Sequence, residues 1–475
     1  MADDPSSLSL TETAAAIKGR KLSSAEATQA CLDGMARLGN KLNCIAALDT
    51  DAVIAAAAQA DKQIAQETKK GNDLGPLAGV PLAHKDMFYR QGRVSGCGSK
   101  IRVDFIPDET ATVLTRLDGA GALDIARLNM VEFALGVTGH NEITGPVRNP
   151  WNTDHVTGGS SSGSGAAVAA GLVKGALGSD TGGSIRFPAA CCGVVGLKPT
   201  YGRVSRYATM PLSYSLDTIG PLTRTVADNA LMFKTIAGFD AKDPTTSAMA
   251  VADPLENLEG GVKGLRLGIP ENYFWEEADA EVRAMLDETV DIYRRLGAVI
   301  TPVSVPRSID ATNTMTTLIT SSEGAALHGR WMRERAQDYG RQTLGRLTLG
   351  ALTPAANYIE ALALRDGILA QFMDAVFTKA DALITPLMMG PVPTIEETDL
   401  AANPGFAEFI TAMGHCTRPV NYLGLPGLSV PAGFTENGLP ASFQLIGRPF
   451  DEAMLYRAAR AYERETGCTD KRPAL

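Results

Sequence analysis

Thr157-Gly158-Gly159-Ser160-Ser161-Ser162-Gly163-Ser164-Gly165 and, after one apolar segment from Ala166 to Leu177, Gly178-Ser179-Asp180-Thr181-Gly182-Gly183-Ser184-Ile185-Arg186 form the stretch whose reading decides the fold. Glycine lets backbone approach a ligand closely and take dihedrals that other residues avoid. A loop dense in Gly and Ser can also aim several N–H groups at one point. Flexible linkers share this composition. A linker, however, would not enclose the run AAVAAGLV (166–173) or lead at once into Ile185-Arg186-Phe187-Pro188. The two Gly/Ser runs are therefore read as parts of a packed site.

Outward from this stretch, short apolar pieces alternate with helical ones. Gly75 to Lys85 is punctuated by Gly and Pro and predicts a buried strand ending at a loop. The pattern then predicts a helix over Thr110–Ala120, a strand over Ala122–Ala126 and a helix over Ala166–Val173. Later strands are expected at Leu265–Ile269, Ala298–Val305, Ala382–Pro386 and Gly427–Pro431. Residues 9–70 read as helical, with Ser23-Ser24-Ala25-Glu26 at capping-box spacing. Glu277–Leu296 carries a clear apolar face ended by Gly297, and Met454–Arg464 closes the chain as a helix. Residues 306–370 are helical in composition and make a candidate lid or pocket wall. Such alternation argues for α/β layering around a largely buried sheet. No repeat or long Pro/Ser linker divides the chain, so one domain over 1–475 is expected, with an N-terminal helical segment (1–70) and a core at 75–235.

Composition narrows the function. The chain has 475 residues, 45% of them hydrophobic, enough for a large core, and a net charge of −9. No basic surface of the kind a nucleic-acid binder needs is indicated. The seven cysteines are odd in number and include no CxxC pair, so neither a disulfide framework nor a metal site is expected. The start of the chain is acidic without an apolar signal-peptide region, and no run reaches the roughly 18 apolar residues of a membrane span. A cytoplasmic protein is expected.

Three chemistries can be set against the Gly/Ser runs. A phosphate-binding loop fails, because no GxxxxGK[ST] is present and the nearest lysine, Lys174, follows a helix instead of opening one. Gly159-Ser160-Ser161-Ser162-Gly163 satisfies GxSxG, but no apolar strand precedes it, and the later histidines, His328 and His415, stand in no distinctive context. The third chemistry needs no histidine: a serine activated by a neutral lysine. Lys85 follows Val80-Pro81-Leu82-Ala83, where burial would lower its pKa; a salt bridge with Asp86 is the competing reading.

The run from Gly158 to Arg206 resembles the defining block of the amidase signature family, which includes bacterial amidases, fatty acid amide hydrolase and the A subunit of glutamyl-tRNA amidotransferase. Gly79-Val80-Pro81 through Lys85-Asp86, Asn129 to Phe133, Ser215 to Pro221, Leu383 to Pro386 and Gly424 to Gly427 follow in the family's order. The resemblance implies an α/β amidase signature fold, a large twisted mixed sheet covered by helices on both faces. It implies a Ser–Ser–Lys triad with Ser184 as nucleophile, Ser160 as bridge after a cis Gly159–Ser160 peptide, and Lys85 as base. The N–H groups of Thr181, Gly182, Gly183 and Ser184 would form an oxyanion hole, with Ser184 opening a helix that runs to Cys191. Asp180 and Arg186 would order the loop, while Thr157 and Ser161 hydrogen-bond within the site. His84 and the Cys191-Cys192 pair are expected in the core. Ala134, Leu135, Gly136 and Val137 would give the acyl pocket a compact apolar wall.

The implied function is cofactor-free hydrolysis of a small-molecule amide, anilide or carbamate through a seryl acyl-enzyme, without nucleic acid or membrane, and with a homodimer as the expected assembly. The alternative is the A subunit of a tRNA-dependent amidotransferase, releasing ammonia from glutamine. That branch is expected to place a carboxylate for the glutamine amino group just before Pro419-Val420-Asn421, where this chain has Gly414. A non-catalytic Gly/Ser-rich binding protein is the alternative of another class.

Overall fold

A computed structural model describes residues 4–276 and 278–475. The first three residues, and Glu277 at the start of one expected helix, lie outside the described residues. Eleven strands form one sheet. They are β1 (Ile45–Ala47), β2 (Pro81–Lys85), β3 (Leu123–Leu128), β4 (Gly175–Asp180), β5 (Val195–Lys198) and β6 (Thr218–Thr223), then β7 (Arg266–Pro270), β8 (Val299–Val303), β9 (Ala382–Pro386), β10 (Gly427–Phe434) and β11 (Pro440–Gly447). Their order across the sheet is β1-β3-β2-β4-β6-β5-β10-β11-β9-β7-β8. The sheet is mixed: β2 runs parallel to β3 and β4, and β7 parallel to β8 and β9, while β4, β6, β5, β10, β11 and β9 are linked antiparallel.

Both faces are covered. Successive strand residues point to opposite sides. Leu82 and Leu177 join one core cluster, whereas their neighbours Ala83 and Ala176 join another that includes Leu32 and Val168 from helices Ser24–Leu42 and Ser162–Ala169. Farther along the sheet, Leu445 and Ile384 stay with the first cluster, and Ile446 and Leu383 pack into a third. The helices follow their sequence signals. Ser9 and Ser23 each close a capping box, and Asp279 caps Ala280–Arg295, whose Val282, Leu286, Val290 and Tyr293 are buried.

The structure corrects the reading around the Gly/Ser run. The helix expected from Ala166 begins at Ser162, so half of the supposed loop is its first turn. Gly163 is there for contact: a Cβ on it would lie 2.6 Å from the carbonyl oxygens of Asn129 and Cys44. The strand that follows, β4, contains Gly175 and Gly178, a composition that disfavours strands. A Cβ on Gly178 would lie 2.6 Å from Ser161 Oγ, so the helix crosses the sheet too closely for any side chain there.

Candidate active site

Two parallel strands set the site. The register pairs His84 of β2 with Leu177 of β4, so the carboxyl ends of these strands bring Lys85 beside Ser179. Carboxyl ends of parallel strands are where open α/β sheets bind ligands. Lys85 is fully buried, with Nζ 2.7 Å from Ser160 Oγ and 2.8 Å from Ser179 Oγ. Burial pushes its pKa down to about 7 against the upward pull of Asp217 and Asp180. The Asp86 alternative is not realised. That carboxylate turns away to accept from the N–H groups of Gly96 (2.9 Å) and Cys97 (3.1 Å), and burial raises its pKa to about 6. His84 points to the opposite side, where Nδ1 accepts from Leu177 N–H (3.2 Å) and burial lowers its pKa to about 4.

The Gly159–Ser160 peptide is cis. Ser160 is anchored by its carbonyl, which accepts from Val131 N–H (3.1 Å), and Ser161 N–H donates to the Ser184 carbonyl (3.2 Å). These contacts seat the two serine segments side by side. The hydroxyls of Ser160 and Ser184 are not hydrogen-bonded to each other. Ser161 Oγ lies 3.3 Å from both Ser179 N and Ser179 O, accepting from the first and donating to the second, and Thr157 Oγ1 donates to Gly158 O (3.0 Å).

Asp180, the last residue of β4, organises the turn. Its carboxylate accepts from the N–H groups of Gly183 (2.7 Å) and Ile185 (3.2 Å) and pairs with Arg186 through Nε and Nη2, both at 3.0 Å. Both side chains are fully buried. Burial alone would raise the Asp180 pKa, but the Arg186 guanidinium holds it well below the usual carboxylate range. Arg186 also donates to Gln444 Oε1 (2.6 Å), Asn421 Oδ1 (2.5 Å) and Thr417 O (3.1 Å), tying the turn to β11 and the helix Arg418–Tyr422.

Two expectations change here. The Gly183 N–H is committed to Asp180, which removes it from the four expected oxyanion donors; those of Thr181, Gly182 and Ser184 have no protein acceptor among the described residues. The helix starts at Arg186, not Ser184, because the Asp180 carboxylate caps the turn between them. Gly183 has φ +128°, and a Cβ there would lie 2.4 Å from the Phe187 ring, so only glycine fits.

Ser184, Thr181 and Gly182 line a small cavity of ≈ 20 Å³ together with Ala134, Gly136 and Val137. Leu135 does not line it; its side chain is fully buried in the main core cluster. The opposite wall comes from the 306–370 region, as Thr316, Thr317 and Thr320 of helix Thr312–Glu334 and Arg346 of helix Arg341–Leu352, with Arg418 alongside. A roomier cavity of ≈ 720 Å³ between the N- and C-terminal segments contains none of these groups, so the smaller one is the candidate site. Among the described residues no cluster of His, Cys, Asp and Glu is arranged to hold a metal. Cys191 and Cys192 are fully buried.

Sequence reasoning missed Ser179, Asn421, Gln444 and the two arginines. Ser179 was legible only through the register of β4, a strand hidden by its glycines. The others come from segments whose place in the fold depends on distant strand pairing.

Residues 26–456 match the model of the Amidase family. The chain is similar to the A subunit of the glutamyl-tRNA(Gln) amidotransferase of Geobacter metallireducens, at 39% identity over 95% of both chains. It is similar, at 33% identity and TM-score 0.90 over 98% of this chain and 100% of the other, to a chain of a vestigial protein complex solved in work on the evolutionary origins of an s-triazine catabolic enzyme. It also resembles a bacterial aryl acylamidase of the amidase signature enzymes, at 27% identity and TM-score 0.86 over 98% of this chain and 99% of that one.

Proposed function

This chain belongs to the amidase family, an enzyme family that hydrolyses amide C–N bonds, and from that membership we propose that Lys85, Ser160 and Ser184 carry the reaction as a proton relay ending in a seryl acyl-enzyme. The observation that carries the proposal is the amine of Lys85, buried, 2.7 Å from the Ser160 hydroxyl and without an ion pair among the described residues. Neutral Lys85 takes the proton of Ser160, and Ser160 takes that of Ser184 as its Oγ forms a bond to the amide carbon. The second contact is not formed in the structure; catalytic hydrogen bonds commonly tighten only in the complex. The developing oxyanion is met by the N–H groups of Thr181, Gly182 and Ser184, each such donor being worth about 3–4 kcal/mol. Breaking the C–N bond draws the proton back from Lys85 through Ser160 to the leaving amine. Water then repeats the sequence on the ester and frees the acid.

The substrate proposed is a small-molecule amide, anilide or carbamate, handled by a single amidase domain whose one sheet spans residues 45–447. Among the described residues no helix is long and apolar enough to cross a membrane, and all seven cysteines are unpaired, which supports action in a reducing compartment. The amidotransferase reading has the support of the relatives that bear that name. Against it stands position 414. A Cβ on Gly414 would lie 2.4 Å from Arg418 Nε, so the place expected for an ammonium-binding acid is filled by a cation.

The test is a hydrolysis screen of short aliphatic amides, acyl anilides and aryl carbamates, with intact-mass detection of sulfonyl-fluoride labelling. Turnover and a single label, both abolished in Ser184→Ala, are expected. Glutaminase activity that appears only with charged tRNA and a partner protein would favour the amidotransferase instead.

A further inference from the structure

Asp217 is a buried carboxylate that the hydrolytic steps leave unused. It stands immediately before β6, whose Thr218 pairs with Asp180 at the end of β4, so the sheet seats it beside the 180–184 turn. Its Oδ1 accepts from the Thr181 hydroxyl (2.6 Å), and Oδ2 accepts from the N–H groups of Leu212 (2.8 Å) and Ser213 (2.9 Å). All three contacts are donors, an arrangement that suits the ionised, acceptor-only carboxylate. Arg206, the cation that bears on it, gives its guanidinium to Tyr201, Thr245 and main-chain carbonyls instead. Asp217 forms no ion pair among the described residues.

A buried anion without a cation is costly. This one also touches Thr181, whose N–H has no protein acceptor among the described residues and faces the cavity of Ser184, where a fixed negative charge opposes a developing oxyanion. What it offers in return lies on the same end of the sheet. Lys85 Nζ reaches Ser179, the residue before Asp180, at 2.8 Å. Three groups bear on that amine: Asp217, Asp180 from β4, and Cys97 from the segment after β2. Asp180 is paired with Arg186, and burial raises the Cys97 pKa to about 12, which leaves its thiol neutral. Of the three, only Asp217 carries a charge with no ion pair. When Lys85 takes the Ser160 proton, a buried ammonium forms at the same moment as the oxyanion.

We propose that Asp217 is a positioning residue whose one carboxylate aims the Thr181 N–H into the cavity and supplies the fixed counter-charge for the ammonium that forms on Lys85 during acylation. The proposal rests on the proton relay put forward above and names a residue that acts through it. The hydroxyl tie fixes the turn at Thr181, while the other oxygen holds the backbone of Leu212, which lines the same cavity. A carboxylate held by three donors needs no reorganisation when the ammonium appears, and preorganised charge of this kind is worth more in a buried site than in water.

The experiment measures, by intact mass, the rate at which phenylmethanesulfonyl fluoride labels Ser184 in the full chain from pH 5 to 9. This readout needs no knowledge of the substrate. In the wild type the rate should rise along a limb centred near 7 and reach a plateau. Asp217→Asn should lower the plateau by about tenfold or more, the worth of a hydrogen bond to a charged group, and move the limb to lower pH by roughly one pH unit, because the ammonium loses its counter-charge. Thr181→Val removes the hydroxyl and keeps the charge, so the plateau should fall by about tenfold while the limb does not move to lower pH. A lowered plateau with an unmoved limb in Asp217→Asn would assign the carboxylate to packing alone and overturn the proposal, as would a wild-type plateau in either variant. If Asp217→Asn fails to fold, Thr181→Val decides: a wild-type plateau, or a limb displaced to lower pH, overturns the proposal. Absence of labelling in the wild type, or a wild-type rate flat with pH, would instead remove the relay on which it stands.

Discussion

In the proposed relay, Lys85 concentrates the chemistry into one titration. Its folded pKa of about 7 lies below the 10.5 of a free lysine because burial disfavours the ammonium form. Only the neutral amine can take a proton, so kcat/KM should rise with pH along a limb centred near 7 and level off above 8. Steady-state rates from pH 5 to 9 check this, and a flat profile across that range counts against the relay. Ser179 should tune the same limb. Its hydroxyl accepts from Lys85 Nζ at 2.8 Å, a contact that favours the protonated amine and fixes its direction. Ser179→Ala should lower kcat by roughly tenfold, the worth of one such bond, and move the limb to lower pH. A change in kcat with no movement of the limb would mean that Ser179 serves packing alone. The meeting of Lys85 with Ser160 was legible because the motif order carries it. Ser179 was not, since its role depends on which strand β4 lies beside.

At the scale of elements, the turn between β4 and the helix Arg186–Cys192 is held by a carboxylate. Asp180 takes N–H groups from Gly183 and Ile185 and the charge of Arg186, all without solvent. Asp180→Ala should destabilise the chain by about 3–5 kcal/mol, because it strands a buried guanidinium. Urea unfolding monitored by circular dichroism measures it, and a loss under about 1 kcal/mol would show that Gln444 and Asn421 suffice to hold Arg186. The helix Ser162–Ala169 makes the complementary case. Gly163→Ala would push a methyl to 2.6 Å from two carbonyl oxygens and should cost about 1–3 kcal/mol in the same assay. Periodicity found helices such as Ala280–Arg295 and strands such as β9 because their apolar faces repeat cleanly. It missed β4 and misplaced the start of the helix before it. There, glycines serve interelement contact, which leaves no hydrophobic rhythm to read.

Across the whole molecule, the antiparallel strands β6, β5, β10, β11 and β9 join the two parallel parts of the sheet and bring Gln444 and the Arg418–Tyr422 helix to a turn more than 230 residues earlier in the chain. Long-range pairing of this kind leaves no local trace, which is why the arginine wall of the pocket was not anticipated while the α/β class was. Burial on this scale also gives stability a pH signature. Lys85 and Lys198 are both buried with pKa values brought down to about 7. Between pH 7 and 10.5 the unfolded chain therefore binds more protons than the folded one, and stability rises with pH. Buried thiols such as Cys191, raised to about 12, reverse the trend once unfolded cysteines ionise near pH 9. The melting temperature should climb from pH 7 to about 8.5 and then turn over, as a differential scanning fluorimetry series would show; a fall across pH 7–8.5 would contradict the burial of these amines. The relay itself is tested most directly by a 15N-lysine NMR titration, with the Lys85 signal assigned by its loss in Lys85→Met. A midpoint near 7 is expected, and a midpoint above 10 would leave Ser160 facing an ammonium group that cannot act as a base.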